Sequence, residues 1–182
     1  MAPPLLTTLL TVAPHLVVQF NDVGVRLAVQ GRDEAMVRCV EAGLELRYRY
    51  DVELCRKRSW WFDSCADVKS EIATIRYEPV SDVYVVRRDL LGDGAEPSVA
   101  RFMSAADAFD DGSVSNPISY SFLADGKEKL KKAERRYVRA RGTSRCNEER
   151  DRTLSRVTQG LTFGLVKRHQ FDSDWQEKKI RD

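Results

Sequence analysis

Residues 44 to 54 constrain the fold more than any other stretch of this chain. Leu44, Leu46, Tyr48, Tyr50, Val52 and Leu54 alternate with Glu45, Arg47, Arg49, Asp51 and Glu53. A period of two suits a β-strand, whose successive side chains leave opposite faces, and does not suit a helix, whose faces recur about every 3.6 residues. The apolar face needs a core and the charged face needs water. Such a strand belongs in an antiparallel sheet that is wetted on one side.

The flanking segments extend this pattern. Leu16 to Phe20 and Val25 to Gln30 are apolar or β-branched runs around Asn21-Asp22-Val23-Gly24, which predicts a hairpin. Val68 to Tyr77 turns at Glu78-Pro79-Val80-Ser81-Asp82 and returns as Val83 to Arg88, predicting a meander with the 44–54 strand. Asp33 is placed to cap a short helix through Ala42, with Met36, Val37 and Val40 on one side and Gly43 just past its end. Pro97 suits the first turn of a second helix through Phe109, carrying Val99, Phe102, Met103, Ala106 and Phe109 as a packing stripe. Ile118, Tyr120 and Phe122 alternate as another strand, and Arg135 to Arg141 is strand-like. The charged stretch from Cys146 to Arg152 reads as a loop or helical turn, and the apolar Leu154 to Val166 as a segment bent at Gly160 and Gly164.

Together these elements predict a mainly β, antiparallel two-layer sandwich with short helices near residues 33–42 and 98–109, in one domain over residues 16–182. A chain of 182 residues, 42% hydrophobic and 32% charged, can bury a core and has neither the composition of a disordered chain nor that of a fibre.

The apolar run from Met1 to Pro14 is too short to span a bilayer. It lacks the positive n-region and small-residue cleavage site of a signal peptide, so residues 1–15 read either as a degraded signal peptide or as a buried N-terminal segment. Cys39, Cys55, Cys65 and Cys146 show no Cys-x-x-Cys spacing, which argues against a metal site. Cys55 and Cys65 flank a short connection between strand-like runs, where a hairpin brings two α-carbons within disulfide reach. Such a bond implies an oxidising compartment; four separate thiols in the cytosol are the other reading.

Catalytic motifs are missing: there is no Gly-x-Ser-x-Gly, no phosphate-binding glycine loop and no His-Glu-x-x-His, and only His15 and His169 are present. His169, beside Asp172 and Asp174, reads as part of a solvated polar loop. No cofactor is expected. The formal net charge of +2 gives no reason to expect nucleic acid. Charge is nonetheless uneven, since Lys127, Lys129, Lys131, Lys132, Arg135, Arg136, Arg139 and Arg141 face only Glu128 and Glu134 between residues 127 and 141, a local +6. In Arg56-Lys57-Arg58-Ser59-Trp60-Trp61-Phe62-Asp63, cations adjoin two tryptophans, a pattern that stacks arginine on indole or offers an aromatic platform.

Ala42-Gly43-Leu44-Glu45-Leu46, Tyr48 to Leu54, Arg58 to Asp63, Ile75-Arg76-Tyr77-Glu78-Pro79 with Val83 to Val86, the helix predicted from Ser98 to Phe109, and Ser173-Asp174-Trp175 together resemble a bacterial family known as domain of unknown function 4390. The likeness runs from about Val17 to Trp175. It implies an exported, mainly β-stranded envelope protein of proteobacterial type, without an assigned activity and without catalytic residues to carry over. The functional expectation is a non-catalytic envelope module that binds a partner protein or an anionic polymer through Arg58, Trp60, Trp61, Lys131, Arg135, Arg139 and Trp175. Two rivals are an envelope hydrolase using Asp63, Asp67, Asp172 or Asp174, and a cytosolic binder of anions or nucleic acid.

Overall fold

The alternating stretch forms the central strand of a large antiparallel sheet. The computed structural model describes residues 12–57, 62–91, 96–124, 136–147 and 169–180. Strands β1 (His15–Phe20) and β2 (Gly24–Gln30) form the expected hairpin, and the Asn21 side chain accepts from the backbone of Val23 and Gly24 to close its turn. Helix α1 (Glu34–Glu41) follows, capped by Asp33, whose Oδ1 accepts from the Met36 amide at 2.8 Å. Gly43, at φ +74°, then takes the left-handed turn that leads into β3 (Glu45–Arg56).

After the two-residue β4 (Ser64–Cys65) come β5 (Lys69–Glu78) and β6 (Val83–Leu91), the second and third strands of the meander. Residues Ser98–Phe102 form β7 rather than the start of a helix. They pair with β6, and that ladder outweighs the helical spacing of their side chains. The helix begins only at α2 (Ala105–Gly112), where Ser104 accepts from the Asp107 amide as cap. The predicted packing stripe is therefore split: Phe109 is buried, whereas Val99 is 52% and Met103 79% exposed.

The expected strand around Ile118 is likewise short. β8 (Ile118–Ser119) gives way to α3 (Tyr120–Ala124), whose first turn is tied by the Ser119 hydroxyl accepting from the Phe122 amide. The strand-like Arg135 to Arg141 is the first half of β9 (Arg136–Asn147), which absorbs Cys146 from the expected loop because β9 pairs with β3 along its whole length. β10 (Gln170–Asp172) and β11 (Gln176–Lys179) both pair with the far side of β9. Residues 1–11 and the segment Leu154 to Val166 lie outside the described residues.

The large sheet has the order β10-β9-β3-β5-β6-β7, with β11 on β9 and β4 on β3; the small one is β1-β2-β8. Leu46, Tyr48, Tyr50, Val52 and Leu54 point from β3 into a core shared with the small sheet and all three helices. This is the expected mainly β, two-layer arrangement, with three short helices among the described residues instead of two. Gly142 lets the layers close: a Cβ there would lie 2.7 Å from Leu16 Cδ1. Inside the core, the buried Glu71 accepts from Arg88 and from the Asn116 amide, while Arg88 also donates to Val114 O and the Asp111 carboxylate. Burial pushes the Glu71 pKa up, although the Asn116 and Arg88 bonds oppose it.

Candidate functional site

The small sheet and the helices pack on one side of the large sheet, so among the described residues its other face is open. The β3–β9 register fills that face with charge. Arg47 pairs with Arg145, Arg49 with Thr143, Asp51 with Arg141 and Glu53 with Arg139. Further strands add Arg76, Arg87 and Asp89, and Arg101.

Two of the carboxylates are neutralised in place. Asp51 accepts from Arg49 Nε at 2.8 Å, Arg141 Nε at 3.0 Å and the Ser70 hydroxyl at 2.6 Å. Glu53 accepts from Arg139 Nε at 2.7 Å and forms an ion pair with Nη2 of the same guanidinium at 2.6 Å. The sequence places both on a wetted face, yet they are only 1% and 6% exposed, because the arginines lie over them. For Asp51, burial pushes the pKa up, but the Ser70, Arg49 and Arg141 bonds outweigh it and hold the carboxyl below its ordinary value.

Above this ladder lies Trp175. Its ring stands 4.7 Å from the guanidinium carbon of Arg139 and 4.8 Å from that of Arg141, within cation–π range of both. The three-residue turn that carries it is pinned from below: the Ser173 amide donates to Gly142 O, and the Gly142 amide donates back to Ser173 Oγ.

Arg47 and Arg145 differ from these neighbours. Both are exposed, face each other across β3 and β9, and have no acidic partner among the described residues; Thr74 flanks Arg47 and Gln170 flanks Arg145. Glu45, Asp172 and Asp89 stand one row away, Asp89 already paired with Arg87. Like charges directly opposite on a sheet cost stability, so this pair is a part of the face able to take an anion.

Of the residues singled out in the sequence, Arg139 and Trp175 come together here. Arg58, Trp60, Trp61, Lys131 and Arg135 lie outside the described residues. Two of the candidate acids, Asp63 and Asp172, lie far apart. Asp63 accepts the Tyr137 hydroxyl at 2.7 Å at the start of β9, whereas Asp172 pairs with Thr143, six residues or about 20 Å further along that strand. Burial, followed by the Asp63 bond, pushes the Tyr137 phenol up to about 12.

A family model described as Domain of unknown function (DUF4390) matches residues 16–142. The chain belongs to that family. No curated protein and no solved structure matches it. In this DUF4390 chain the matched span contains Arg47, Arg49, Asp51, Glu53, Arg139 and Arg141, while Arg145 and Trp175 lie beyond it.

The chain also holds a constellation that its sequence does not reveal. His169 is 4% exposed rather than part of a solvated loop. Its Nδ1 lies 2.8 Å from Asp33 Oδ2 and its Nε2 2.7 Å from Ser144 Oγ. A carboxylate only accepts, so Nδ1 donates to Asp33, and in the neutral ring Nε2 then accepts from the Ser144 hydroxyl. This is the connectivity of a hydrolase triad, but Ser144 is 0% exposed, facing the core beside Tyr48, so no substrate reaches its oxygen. Asp33 is 111 positions from Ser144 and 136 from His169, which is why no local motif signals the group.

Both pairs of cysteines are disulfide-bonded, Cys39 to Cys146 and Cys55 to Cys65. Cys55 and Cys65 are opposite partners in the β3–β4 ladder, as the short connection suggested. Glu53 and these two sulfurs lie within 4.8 Å of one another, but oxidised sulfurs offer no thiolate to a metal. Among the described residues no helix is long and apolar enough to cross a membrane.

Proposed function

We propose that the protein is a non-catalytic, exported module that binds an anionic polymer on the open face of its large sheet. The observation that carries this reading is the Arg47–Arg145 pair, two exposed guanidinium groups held opposite each other with no acid to neutralise them among the described residues. Arginine suits the role, since its planar fork meets carboxylates and phosphates in a bidentate geometry. Arg49 and Arg141 stand next along the same face and share the single Asp51 carboxylate, so they leave further positive charge beside the pair.

The two disulfides support an oxidising compartment, where such bonds persist. The direct test is retention of the whole chain on an immobilised carboxylated polymer, eluted with rising salt. Arg47→Ala with Arg145→Ala is expected to elute at markedly lower salt than the parent, because surface attraction of this kind is screened over about 10 Å at 0.1 M salt. Identical elution of parent and double variant removes the assignment.

A further inference from the structure

Resting on the anionic-polymer reading, we infer that the ligand is an acidic polysaccharide, with one sugar ring stacked on Trp175 and charged groups of its neighbours on Arg47 and Arg145. Three observations converge. The Trp175 indole lies on the Arg139 and Arg141 guanidinium groups and stays partly exposed, so one aromatic surface stands beside these cations. The turn beneath it is tied at Ser173 in both directions to Gly142, which presets the ring. A platform held in place before binding loses little freedom when a ligand arrives.

The third observation is spacing. Arg145 lies four residues along β9 from Arg141, about 13 Å at strand rise, with Arg49 and Thr143 between them. One monosaccharide is too short to touch Trp175 and Arg145 together. Consecutive residues of a chain reach both, and an acidic glycan supplies the two chemistries in alternation along one molecule: apolar C–H faces for the indole and carboxylates for the guanidinium forks.

Single-stranded nucleic acid also combines rings with charge, but its binders line a groove with successive aromatics, and this face has one indole among the described residues. An oxidising compartment also favours a glycan.

The test is calorimetric titration of the full chain with oligogalacturonates of two and of six or more units, and with inorganic polyphosphate as a ringless anion. The parent is expected to bind the longer oligosaccharide much more tightly than the dimer. Trp175→Ala is expected to weaken that binding about tenfold, the size of one aromatic contact, and to leave polyphosphate binding unchanged. Trp175→Tyr keeps a ring and should restore most of the loss, which separates stacking from damage to the fold. If Trp175→Ala binds the oligosaccharide like the parent, or length makes no difference, the glycan inference falls while polyphosphate binding keeps the anionic reading. If neither probe binds the parent, both fall. A single-stranded DNA of matched charge that binds as tightly as the oligosaccharide, through Trp175, overturns the assignment to sugar.

Discussion

Ser144 Oγ sits 2.7 Å from His169 Nε2, and the other ring nitrogen of His169 sits 2.8 Å from the Asp33 carboxylate that caps α1. The chain thus joins β9, the residue before β10 and the first turn of α1 by side-chain bonds, close to where the Cys39–Cys146 disulfide joins α1 and β9 covalently.

Burial makes this group a structural tie. Ser144→Ala should lower stability by about 1 to 3 kcal/mol, read from urea unfolding, since His169 loses its buried partner. A fluorophosphonate probe should leave the native chain unlabelled at Ser144; labelling there would show a reachable nucleophile and reopen hydrolysis.

The two disulfides should differ in weight. Cys39–Cys146 spans 107 residues and Cys55–Cys65 spans 10, so loop entropy assigns them about 5 and about 3 kcal/mol. Cys39→Ser with Cys146→Ser should therefore lower the denaturation midpoint more than Cys55→Ser with Cys65→Ser. Protein taken from its native cells should carry no free thiol before reduction.

Arg47 and Arg145 offer a signature that separates binding from folding. Removing one of two opposed like charges should leave stability unchanged or raise it by about 0.2 to 1 kcal/mol. Arg47→Ala should at the same time weaken retention on a carboxylated polymer. A variant that loses stability instead would mean that Arg47 packs or pairs as part of the fold.

Acid should act on Asp51 in a defined direction. Its folded pKa is lowered, so its contribution is full above the unfolded value of about 3.9 and disappears as pH falls through the folded one. Asp51→Asn removes that titration. The stability gap between parent and variant should be widest near neutrality and shrink below about pH 4; a gap independent of pH would contradict it. Glu71 runs the other way, its raised pKa contributing stability at low pH that is lost as pH rises through it.

Much of the framework is local, and local signals are legible. The period of two over residues 44–54 yields β3, Asn21 to Gly24 the first turn, and Asp33 with Gly43 the two ends of α1. The open face is legible only in outline. Alternation assigns Arg47, Arg49, Asp51 and Glu53 to one side of β3, but the choice of β9 as neighbour, and with it Arg145 opposite Arg47 and Arg139 over Glu53, spans roughly 90 residues of chain. Trp175 could be picked out as an aromatic residue, yet nothing near it in sequence indicates the two arginines beneath its ring.

The same division explains the misplaced helix. Spacing in residues 98–109 permits a helix throughout, and Ser98–Phe102 become a strand only because β6 offers an unpaired edge. Backbone propensity, turn chemistry and alternation act between residues a few positions apart, so they can be read along the chain. Strand pairing, the burial of Asp51 and Glu53 beneath arginines, and the meeting of Ser144, His169 and Asp33 depend on groups brought together by packing the core, and their partners have no fixed spacing in sequence.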